Sequence, residues 1–485
     1  MKVCLICEGS YPYVAGGVSS WVQMLCKNTP DVDFVIWSIA TTREEMSEYK
    51  YVLPANVKGV ETIYLGDSEF SAKYRKIHLS QADAVTLRKL MRGKASEINW
   101  QNTLDFIRRH KENLVDLLMS EYFYQICLEE YQQSGSTENF KEYLWSYRGM
   151  YFSLLNPLSG PIPEADVYHS LSTGYAGILG SAASYINGKP LILSEHGIYT
   201  REREEDIIRA EWVQGGFKEL WIEFFRKLSH ITYQQASRVT TLFESNRKLQ
   251  LELGCPEEKI VTIPNGVDTE SFAQLQNNHL LPDAQFHIGT VLRVVPIKDV
   301  KTMLLAYNIV RQKMPGVTLS ILGTTDESPQ YYQECLSLVR SLKIQDVQFL
   351  GRVNVKDYLE EFDLLLLSSI SEGQPLAILE GMAAGKPFVS TNVGDCKGLL
   401  YGNEGDTLGR AGIVVPVMDS DAMAEAILEC ARYPEETKEM GAVGRRRANQ
   451  YYTQQAFLTA YHKLYDSFRE NAAEGSKQAN SAGRV

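Results

Sequence analysis

The second half of the chain alternates apolar runs with helical patterns. Short β-prone segments are separated by stretches in which apolar residues recur at helical spacing. Strands joined by single helices run parallel in one sheet, because the helix carries the chain back to the edge where the previous strand began. The predicted strands are 287–295, 316–323, 347–353, 363–369, 387–393 and 412–417. This half therefore predicts a doubly wound parallel sheet of the Rossmann type.

The first half opens in the same way. Residues 2–7 and 33–39 are apolar and β-prone, and between them lie a loop with a Gly pair and a helical pattern. The alternation resumes with predicted strands at 167–172, 190–197 and 238–245. A helical insertion over about 68–156 separates the two stretches, and we expect its many aromatic residues to pack mostly against the parent domain. The predicted fold class is α/β, with two Rossmann-like domains facing each other across a cleft.

Polar, unpatterned residues mark the domain boundary. The stretch NNHLLPDAQ favours a linker near residues 270–285, so we expect an N-terminal domain over 1–275 and a second domain over 276–452. A helix over 453–471 is expected to cross back to the N-terminal domain, and the polar tail over 472–485 is expected to be disordered. Ligands of open parallel sheets bind beyond the carboxyl ends of the strands, so the cleft is the expected site.

Charge and cysteine usage exclude several classes of function. With 49 Lys and Arg against 60 Asp and Glu, the net charge is −11, which disfavours nucleic acid as a partner. No run of 18 apolar residues appears, and Glu8 interrupts the N-terminus before a signal peptide can form, so a cytoplasmic protein is expected. The eight cysteines are scattered, and we interpret them as core thiols of a reducing compartment.

The strongest functional signal is SEGQPLAILEGMAAGKP at 371–387. It directly follows the predicted strand 363–369, which places Glu372 at the strand's carboxyl end and Glu380 on the next helix. Eight helical residues span about 12 Å. That separation suits the hexose and the ribose of a nucleotide-sugar, with the diphosphate between them at the helix N-terminus. On the spacing alone, an acidic first turn plus a solvated glutamate is equally favoured.

Two cations at a neighbouring strand end decide between these interpretations. Arg293 lies near the carboxyl end of the strand 287–295, and Lys298 opens the following helix. Such a pair suits a diphosphate and stabilises a leaving nucleoside diphosphate as its charge develops. Either residue alone is more simply a surface cation.

Arg293, Lys298 and the Glu372–Glu380 pair, on a second Rossmann sheet, resemble the donor site of GT-B glycosyltransferases of family 4. The phrase PNGVD at 264–268 is also common in that family. A narrower group, the cytosolic glycosyltransferases of Pel exopolysaccharide synthesis, is similar over nearly the whole chain. That likeness is carried by CEGSYPYVAGGVSSWV, the helical insertion, SEHGIYTRERE and SISEGQPLAILE. The resemblance implies a retaining hexosyltransferase that uses a UDP-sugar and needs no essential metal or other cofactor.

The resemblance also assigns roles in the second domain. It implies that Arg293 and Lys298 bind the donor diphosphate, that Glu380 binds the ribose and that Glu372 binds the transferred sugar. The backbone of the residues after Glu372 is implied to lie against sugar and phosphate: Gly373, Gln374, Pro375 and Leu376. Most family members have an aromatic residue or Phe-Gly after the first glutamate, so Gly373-Gln374-Pro375 leaves the choice of hexose open.

In the first domain the resemblance implies donor contacts at a glycine loop and an active-site histidine. Gly16 and Gly17 match the loop, where absent side chains let the backbone approach the donor. His196, in SEHG at a predicted strand end, matches the histidine, whose implied role is to orient donor or acceptor. Arg201 and Arg203 follow closely and either contact phosphate or acceptor or lie on a solvated helix start. Asp419-Ser420-Asp421 has the form of a metal–diphosphate motif, but it precedes a helical pattern and is interpreted as a helix cap.

We therefore expect an enzyme that polymerises an exopolysaccharide at the cytosolic face of the inner membrane. Its expected partners are the UDP-sugar, the growing polysaccharide and integral membrane proteins of a synthase complex. Two alternatives stay open: a soluble glucan or disaccharide synthase, and a catalytically silent nucleotide-binding scaffold of such a complex. A dehydrogenase is disfavoured, since neither sheet opens with G-x-G-x-x-G followed by an acid about 20 residues on.

Overall fold

The computed structural model describes residues 1–41, 43, 48–65, 75–135, 139–210, 213, 217–275 and 285–482, with side chains as far as residue 469. It divides into two compact units. The first comprises Met1–Ile263 and His462–Val485, and the second Pro264–Tyr461. The chain thus enters the second unit at Pro264, before the boundary expected at 275. Most of the expected linker, 276–284, lies outside the described residues.

The described part of the first unit contains a seven-stranded parallel sheet in the order β3-β2-β1-β4-β5-β6-β7. The interior strand β1 is buried from Val3 to Cys7. The strands are β1 (Lys2–Glu8), β2 (Asp33–Ala40), β3 (Val57–Tyr64), β4 (Val167–Ser170), β5 (Leu191–Ser194), β6 (Arg238–Thr241) and β7 (Ile260–Thr262). The edge strands β3 and β7 were not predicted from the sequence, because their residues are largely half-buried or exposed and so lack an apolar signature.

Helices cover this sheet and fill the insertion between β3 and β4. They are α1 (Gly17–Asn28), α2 (Gln81–Arg92), α3 (Trp100–His110), α4 (Glu121–Ser134), α5 (Phe140–Ser159), α6 (Tyr175–Asn187), α7 (Tyr199–Arg209), α8 (Phe217–Gln235) and α9 (Glu244–Glu252). Tyr143, Tyr147 and Tyr151 of α5 recur every fourth residue and are buried in the same core cluster as the sheet. The aromatic residues of the insertion thus mostly pack inward, as expected, although Tyr124 and Trp145 are exposed.

The second unit has, within its described residues, a six-stranded parallel sheet in the order β10-β9-β8-β11-β12-β13. Its strands are β8 (His287–Val291), β9 (Thr318–Leu322), β10 (Val347–Gly351), β11 (Leu364–Leu367), β12 (Phe388–Thr391) and β13 (Gly412–Val415). All six were predicted, and each ends one to four residues earlier than its sequence pattern suggested. Two Rossmann-like parallel sheets confirm the predicted fold class.

Helices again connect the strands. They are α10 (Val300–Lys313), α11 (Pro329–Ser341), α12 (Lys356–Leu359), α13 (Leu376–Ala383), α14 (Cys396–Tyr401), α15 (Ser420–Arg432) and α16 (Pro434–Tyr451). The last helix, α17 (Gln454–Ala482), starts in the second unit and belongs to the first from His462 onward. It continues past residue 472, where the sequence predicted a disordered tail. None of the described helices is both long enough and apolar enough to span a bilayer.

The eight cysteines are all buried and unpaired, which confirms their interpretation as core thiols. Cys4 and Cys7 lie on β1, where burial raises the pKa of both thiols. A thiol with a raised pKa is a poor nucleophile and a poor metal ligand at neutral pH, because the thiolate is the reactive form.

Candidate active site

Two ion pairs lie beyond the carboxyl ends of the central strands of the second sheet. β8 is flanked by β9 and β11, so the loops that follow these three strands meet at one edge. The loop after β8 carries Arg293 and Lys298, the loop after β9 carries Glu327, and the loop after β11 carries Glu372. The structure thus brings both predicted cations and the first predicted glutamate to one edge, where Glu327 joins them.

Lys298 and Glu372 form the more buried of the two pairs. The Lys298 Nζ donates to Glu372 Oε1, and the side chains are only 17% and 11% exposed. The Ser369 hydroxyl donates to the same carboxylate oxygen at 2.5 Å. The Ser368 hydroxyl donates to the Lys298 carbonyl at 2.7 Å. These bonds hold the two loops together and place a cation and a carboxylate side by side at the strand ends.

Arg293 is paired with a carboxylate that sequence reasoning missed. Its guanidinium donates to Glu327 Oε2 at 2.6 Å, and the side chains are 43% and 35% exposed. The loops that carry the two residues approach closely because Gly323 directly follows β9: a Cβ there would lie 1.7 Å from the Leu292 carbonyl oxygen. Glu327 neutralises Arg293 in this arrangement, so an anionic ligand that binds Arg293 competes with it.

Glu372 and Glu380 do not lie on one helix. α13 begins only at Leu376, and Pro375 is its N-cap. The prediction of about 12 Å of helical rise between the two glutamates is therefore wrong, because the first half of the interval is loop. Glu380 is on α13, where burial raises the pKa of its carboxyl and Lys356 partly offsets that rise.

The loop between Glu372 and α13 holds the other predicted donor contacts. Gly373, Pro375 and Leu376 contribute backbone at the start of α13. Gln374 differs from them because its side chain is 5% exposed and its amide is bonded to Asn265 and Asp395 within the second unit. Its side chain thus forms hydrogen bonds within the second unit, while its backbone is part of the loop that carries Glu372.

In the first unit, the predicted glycine loop lies at the start of α1. Gly16 is the N-cap and Gly17 the first helical residue. Within the part of the chain that the structure describes, no atom lies within 4 Å of a Cβ built on either residue. Neither glycine has the left-handed backbone that favours this residue, since φ of Gly16 is 175°. Packing against the described residues therefore does not require glycine at either position.

His196 follows the end of β5 by two residues and packs against α1. Its ring lies 4.8 Å from the Trp21 ring, centroid to centroid, in an edge-on arrangement. Burial lowers the pKa of His196 to about 4, so the imidazole is neutral at pH 7. Its Nε2 is buried and, among the described residues, has no hydrogen-bond partner. A neutral ring with one uncommitted nitrogen fits an orienting role better than that of a permanent cation.

The residue before His196 anchors this strand end. Glu195 is 2% exposed and accepts from the Tyr233 hydroxyl at 2.6 Å and from the Gln250 amide at 2.9 Å. Burial raises the pKa of its carboxyl to about 7, and these hydrogen bonds partly offset that rise. Glu195 thereby fixes the end of β5 to α8 and α9. These contacts also fix the backbone position of the next residue, His196.

The remaining predicted residues lie on helix surfaces. Arg201 is exposed on α7. Arg203 pairs with Asp206 at 3.1 Å and lies over the Tyr199 ring. Asp419 caps α15, since its side chain accepts from the Ala422 amide at 2.8 Å. The interpretation of Asp419-Ser420-Asp421 as a helix cap is confirmed.

Two family models match the chain, one in each unit. Residues 1–258 match "Domain of unknown function (DUF3492)" and residues 285–432 match "Glycosyl transferases group 1". The chain is 25% identical over 316 residues to MMP alpha-(1->4)-mannosyltransferase of Mycolicibacterium hassiacum, covering 64% of this chain and 72% of that one. It is 26% identical over 278 residues to an Escherichia coli protein, UDP-Gal:alpha-D-GlcNAc-diphosphoundecaprenol alpha-1,3-galactosyltransferase. That match covers 54% of this chain and 65% of its relative, just under two thirds.

Solved structures share the fold. The structure of HepE from Anabaena in complex with UDP and glucose has a TM-score of 0.58 at 15% identity, over 96% of this chain and all of that one. Because the first family model covers more than half of the chain, the chain belongs to the family described as domain of unknown function DUF3492, and its second unit carries a group 1 glycosyltransferase domain.

Proposed function

We propose that the protein is a retaining hexosyltransferase that uses a UDP-sugar without an essential metal and extends a Pel-type exopolysaccharide. One observation carries the proposal: Arg293 and Lys298 both lie at the carboxyl edge of the second sheet, and each forms an ion pair with a carboxylate there. Cations at this edge suit a diphosphate. The two carboxylates keep the cations in place until the donor binds.

The resemblance to the family 4 glycosyltransferases implies a retaining reaction, and the charges at this edge suit it. The bond between the sugar C1 and the UDP oxygen breaks, and a bond from C1 to the acceptor hydroxyl oxygen forms on the same face of the sugar. The acceptor proton passes to the departing UDP oxygen, so no protein nucleophile is needed. Arg293 and Lys298 stabilise the charge that develops on UDP, and catalysis is mainly electrostatic stabilisation and positioning.

The other residues of the site position the two substrates. Glu372 accepts hydrogen bonds from the transferred sugar, and Lys298 keeps its carboxylate oriented. Glu380 accepts from the ribose hydroxyls, and the amides at the start of α13 face the diphosphate. In the first unit, the resemblance assigns donor contacts to the backbone of Gly16 and Gly17, and the neutral His196 orients donor or acceptor.

The relatives support the substrate class. The E. coli relative is named for transfer from UDP-Gal to a diphosphoundecaprenol-linked sugar, and the HepE structure holds UDP and glucose. The resemblance to the Pel glycosyltransferases supports a polysaccharide acceptor and integral membrane partners at the cytosolic face of the inner membrane.

The first test is nucleotide binding followed by turnover. Thermal shifts are measured with UDP, GDP, ADP and NAD, each with and without EDTA. We expect a UDP-selective rise in melting temperature that survives EDTA, and release of UDP from a UDP-hexose in the presence of acceptor. A rise in melting temperature with NAD alone would contradict the donor site. The absence of a rise with any of the four nucleotides would also contradict it.

Variants then distinguish an enzyme from a silent scaffold. Glu372→Gln and Lys298→Ala should lower kcat/KM by at least 100-fold, about 2.7 kcal/mol of transition-state stabilisation. Lys301→Ala is the matched control, since it breaks a neighbouring exposed ion pair with Glu334 on α11. If the wild type binds UDP but does not turn over a UDP-sugar, the alternative of a catalytically silent nucleotide-binding scaffold is favoured.

A further inference from the structure

Gln374 lies in the middle of the proposed donor loop, yet its side chain is turned into the second unit. Its Oε1 accepts from the Asn265 backbone amide at 2.7 Å, and its Nε2 donates to Asp395 Oδ2 at 2.8 Å. Its carbonyl accepts from the Asn265 side-chain amide at 3.1 Å. Gln374, Asn265 and Asp395 are each 5% exposed. The side chain is therefore buried against these two partners and does not face a sugar, although the residue is two positions from Glu372.

Asn265 belongs to the segment by which the chain enters the second unit at Pro264. Two residues on, Val267 is paired with the returning chain: its amide donates to the Tyr452 carbonyl at 2.8 Å, and its carbonyl accepts from the Gln454 amide at 2.8 Å. The entry segment is thus a fixed part of the second unit. It offers a rigid support against which a loop can be held.

Asp395 holds the same loop from the other side. Its amide donates to the Gly373 carbonyl at 2.9 Å. The preceding residue, Gly394, has φ +52°, and a Cβ there would lie 2.1 Å from the Gly373 oxygen and 2.3 Å from the Glu372 oxygen. The backbone of Glu372 and Gly373 therefore rests directly on Gly394. The side-chain amide of Gln374 bonds to Asn265 on one side of the loop and to Asp395 on the other, and we call this arrangement the clamp.

We propose that Gln374 is a positioning residue that sets the place of Glu372 by clamping the donor loop between Asn265 of the entry segment and Asp395. The proposal rests on the proposed function, since it assigns Glu372 to the donor sugar. It predicts that donor turnover depends on the hydrogen-bonding pattern at position 374, and not only on its size. An amide is needed because one end must accept from Asn265 and the other must donate to Asp395.

Replacing Gln374 by Glu changes the hydrogen-bonding pattern of the side chain while its shape stays nearly the same. In Gln374→Glu, one oxygen still accepts from the Asn265 amide, but the other faces the Asp395 carboxylate. Burial raises the pKa of Asp395 to about 6 in the wild type, and a second carboxylate raises the pKa of the pair further. At low pH the two carboxyls share a proton and the bond persists. As the pH rises both ionise and repel, and the clamp opens.

Two ionisable side chains whose pKa values respond to Asp395 stay neutral in this range. Asp395 contributes to the raised pKa values of the Cys396 thiol and the Tyr452 phenol. Burial raises the pKa of Cys396 to about 12 and that of Tyr452 above its usual value. Both are therefore neutral between pH 5.5 and about 8.5. A pH dependence that is new in Gln374→Glu thus reports on the introduced pair.

The decisive variant is the reciprocal exchange Gln374→Glu with Asp395→Asn. It restores one donor and one acceptor across the contact, because the introduced side-chain amide donates to the introduced carboxylate. We measure kcat/KM for the UDP-sugar from about pH 5.5 to 8.5, well below each variant's melting temperature. Gln333→Glu, on the exposed side of α11, is the control for an added carboxylate.

We expect the ratio of kcat/KM for Gln374→Glu to that of wild type to fall at least tenfold from the lowest to the highest pH. The double variant should regain at least a third of the wild-type value across the range. A constant ratio, or no recovery in the double variant, overturns the clamp. A merely structural role would lower the melting temperature without changing kcat/KM of the folded protein. If wild type releases no UDP, the proposed function fails; the same pH series in melting temperature still tests the clamp.

Discussion

At the scale of single residues, the two cations of the site are already occupied by carboxylates. For Lys298 the partner is Glu372, which the proposed reaction also uses. For Arg293 the partner is Glu327, which has no other assigned role. An incoming diphosphate must displace Glu327 to reach Arg293. In the proposed donor site, the affinity for UDP is therefore set by this competition as well as by direct contacts.

We expect Glu327→Gln to tighten UDP binding about three- to tenfold, because it removes an anionic competitor worth about 1 kcal/mol. The stability of the fold should change by less than about 1 kcal/mol, since both partners are more than a third exposed. Titration calorimetry with UDP measures the effect. Glu334→Gln, which breaks the similarly exposed pair with Lys301, should leave UDP affinity unchanged. Weaker UDP binding in Glu327→Gln would mean that Glu327 orients Arg293 instead.

The same residues show what a sequence reveals at this scale. Arg293, Lys298 and Glu372 were predictable because each follows a strongly apolar strand, and the ends of parallel strands share an edge. Glu327 also follows such a strand, β9, so its signal was present in the sequence. Its pairing with Arg293 was not predictable, because it depends on the close approach at Gly323. The bonds of Gln374 were likewise hidden, since they join three separate loops.

At the scale of elements, a buried histidine links β4 to its neighbours. His169 Nε2 bonds to the Ser194 hydroxyl on β5 at 2.7 Å, and its Nδ1 bonds to the Tyr465 hydroxyl on α17 at 2.8 Å. Thr240 on β6 donates to the same Ser194 oxygen at 2.7 Å. Burial lowers the pKa of His169 from 6.5 to about 3, with a smaller contribution from His196. The network therefore requires a neutral ring.

This network makes stability depend on pH. The folded pKa lies below the unfolded value, so the folded protein binds fewer protons and its stability falls as the pH drops from about 6.5 towards 3. Between pH 7 and pH 5 the loss is about 2 kcal/mol for this one histidine. His169→Gln should be less stable at pH 7 but lose about 2 kcal/mol less on acidification, as measured by urea unfolding. His78→Gln, at an exposed position, should keep the wild-type slope. Equal slopes in His169→Gln and wild type would contradict the assignment.

The sequence predicts which helices and strands exist better than it predicts where they end. Central strands such as β11 are short apolar runs buried on both faces, and the sequence shows them directly. Their ends were placed too late, because apolar residues such as Val294 continue into the buried loops beyond the last ladder pair. The edge strands β3 and β7 lack that apolar signature and were missed. Strand ends matter for function here, since the site residues lie in the loops that follow.

At the scale of the whole molecule, the first unit is completed by residues from the far end of the chain. His462 and the residues after it belong to that unit, although it otherwise ends at Ile263. Tyr465 is 1% exposed and bonds to His169, while Arg469 bonds to the Asp31 carbonyl at 3.2 Å. Loss of this segment leaves a buried histidine without one partner and exposes apolar core. The first unit should therefore need the C-terminus more than the second does.

A truncation after Tyr461 tests this dependence by calorimetry. Two compact units allow two unfolding transitions. If UDP binds the second unit as proposed, it raises the transition of that unit and so identifies it. We expect the truncation to lower the UDP-insensitive transition by roughly 10 °C or more, since loss of buried aromatic contacts costs about 3–5 kcal/mol. The UDP-sensitive transition should move much less. A chain that ends after Arg469 is the matched control, because it keeps Tyr465 and Arg469. An equal fall of both transitions, or a fall only of the UDP-sensitive one, would contradict the assignment of this segment to the first unit.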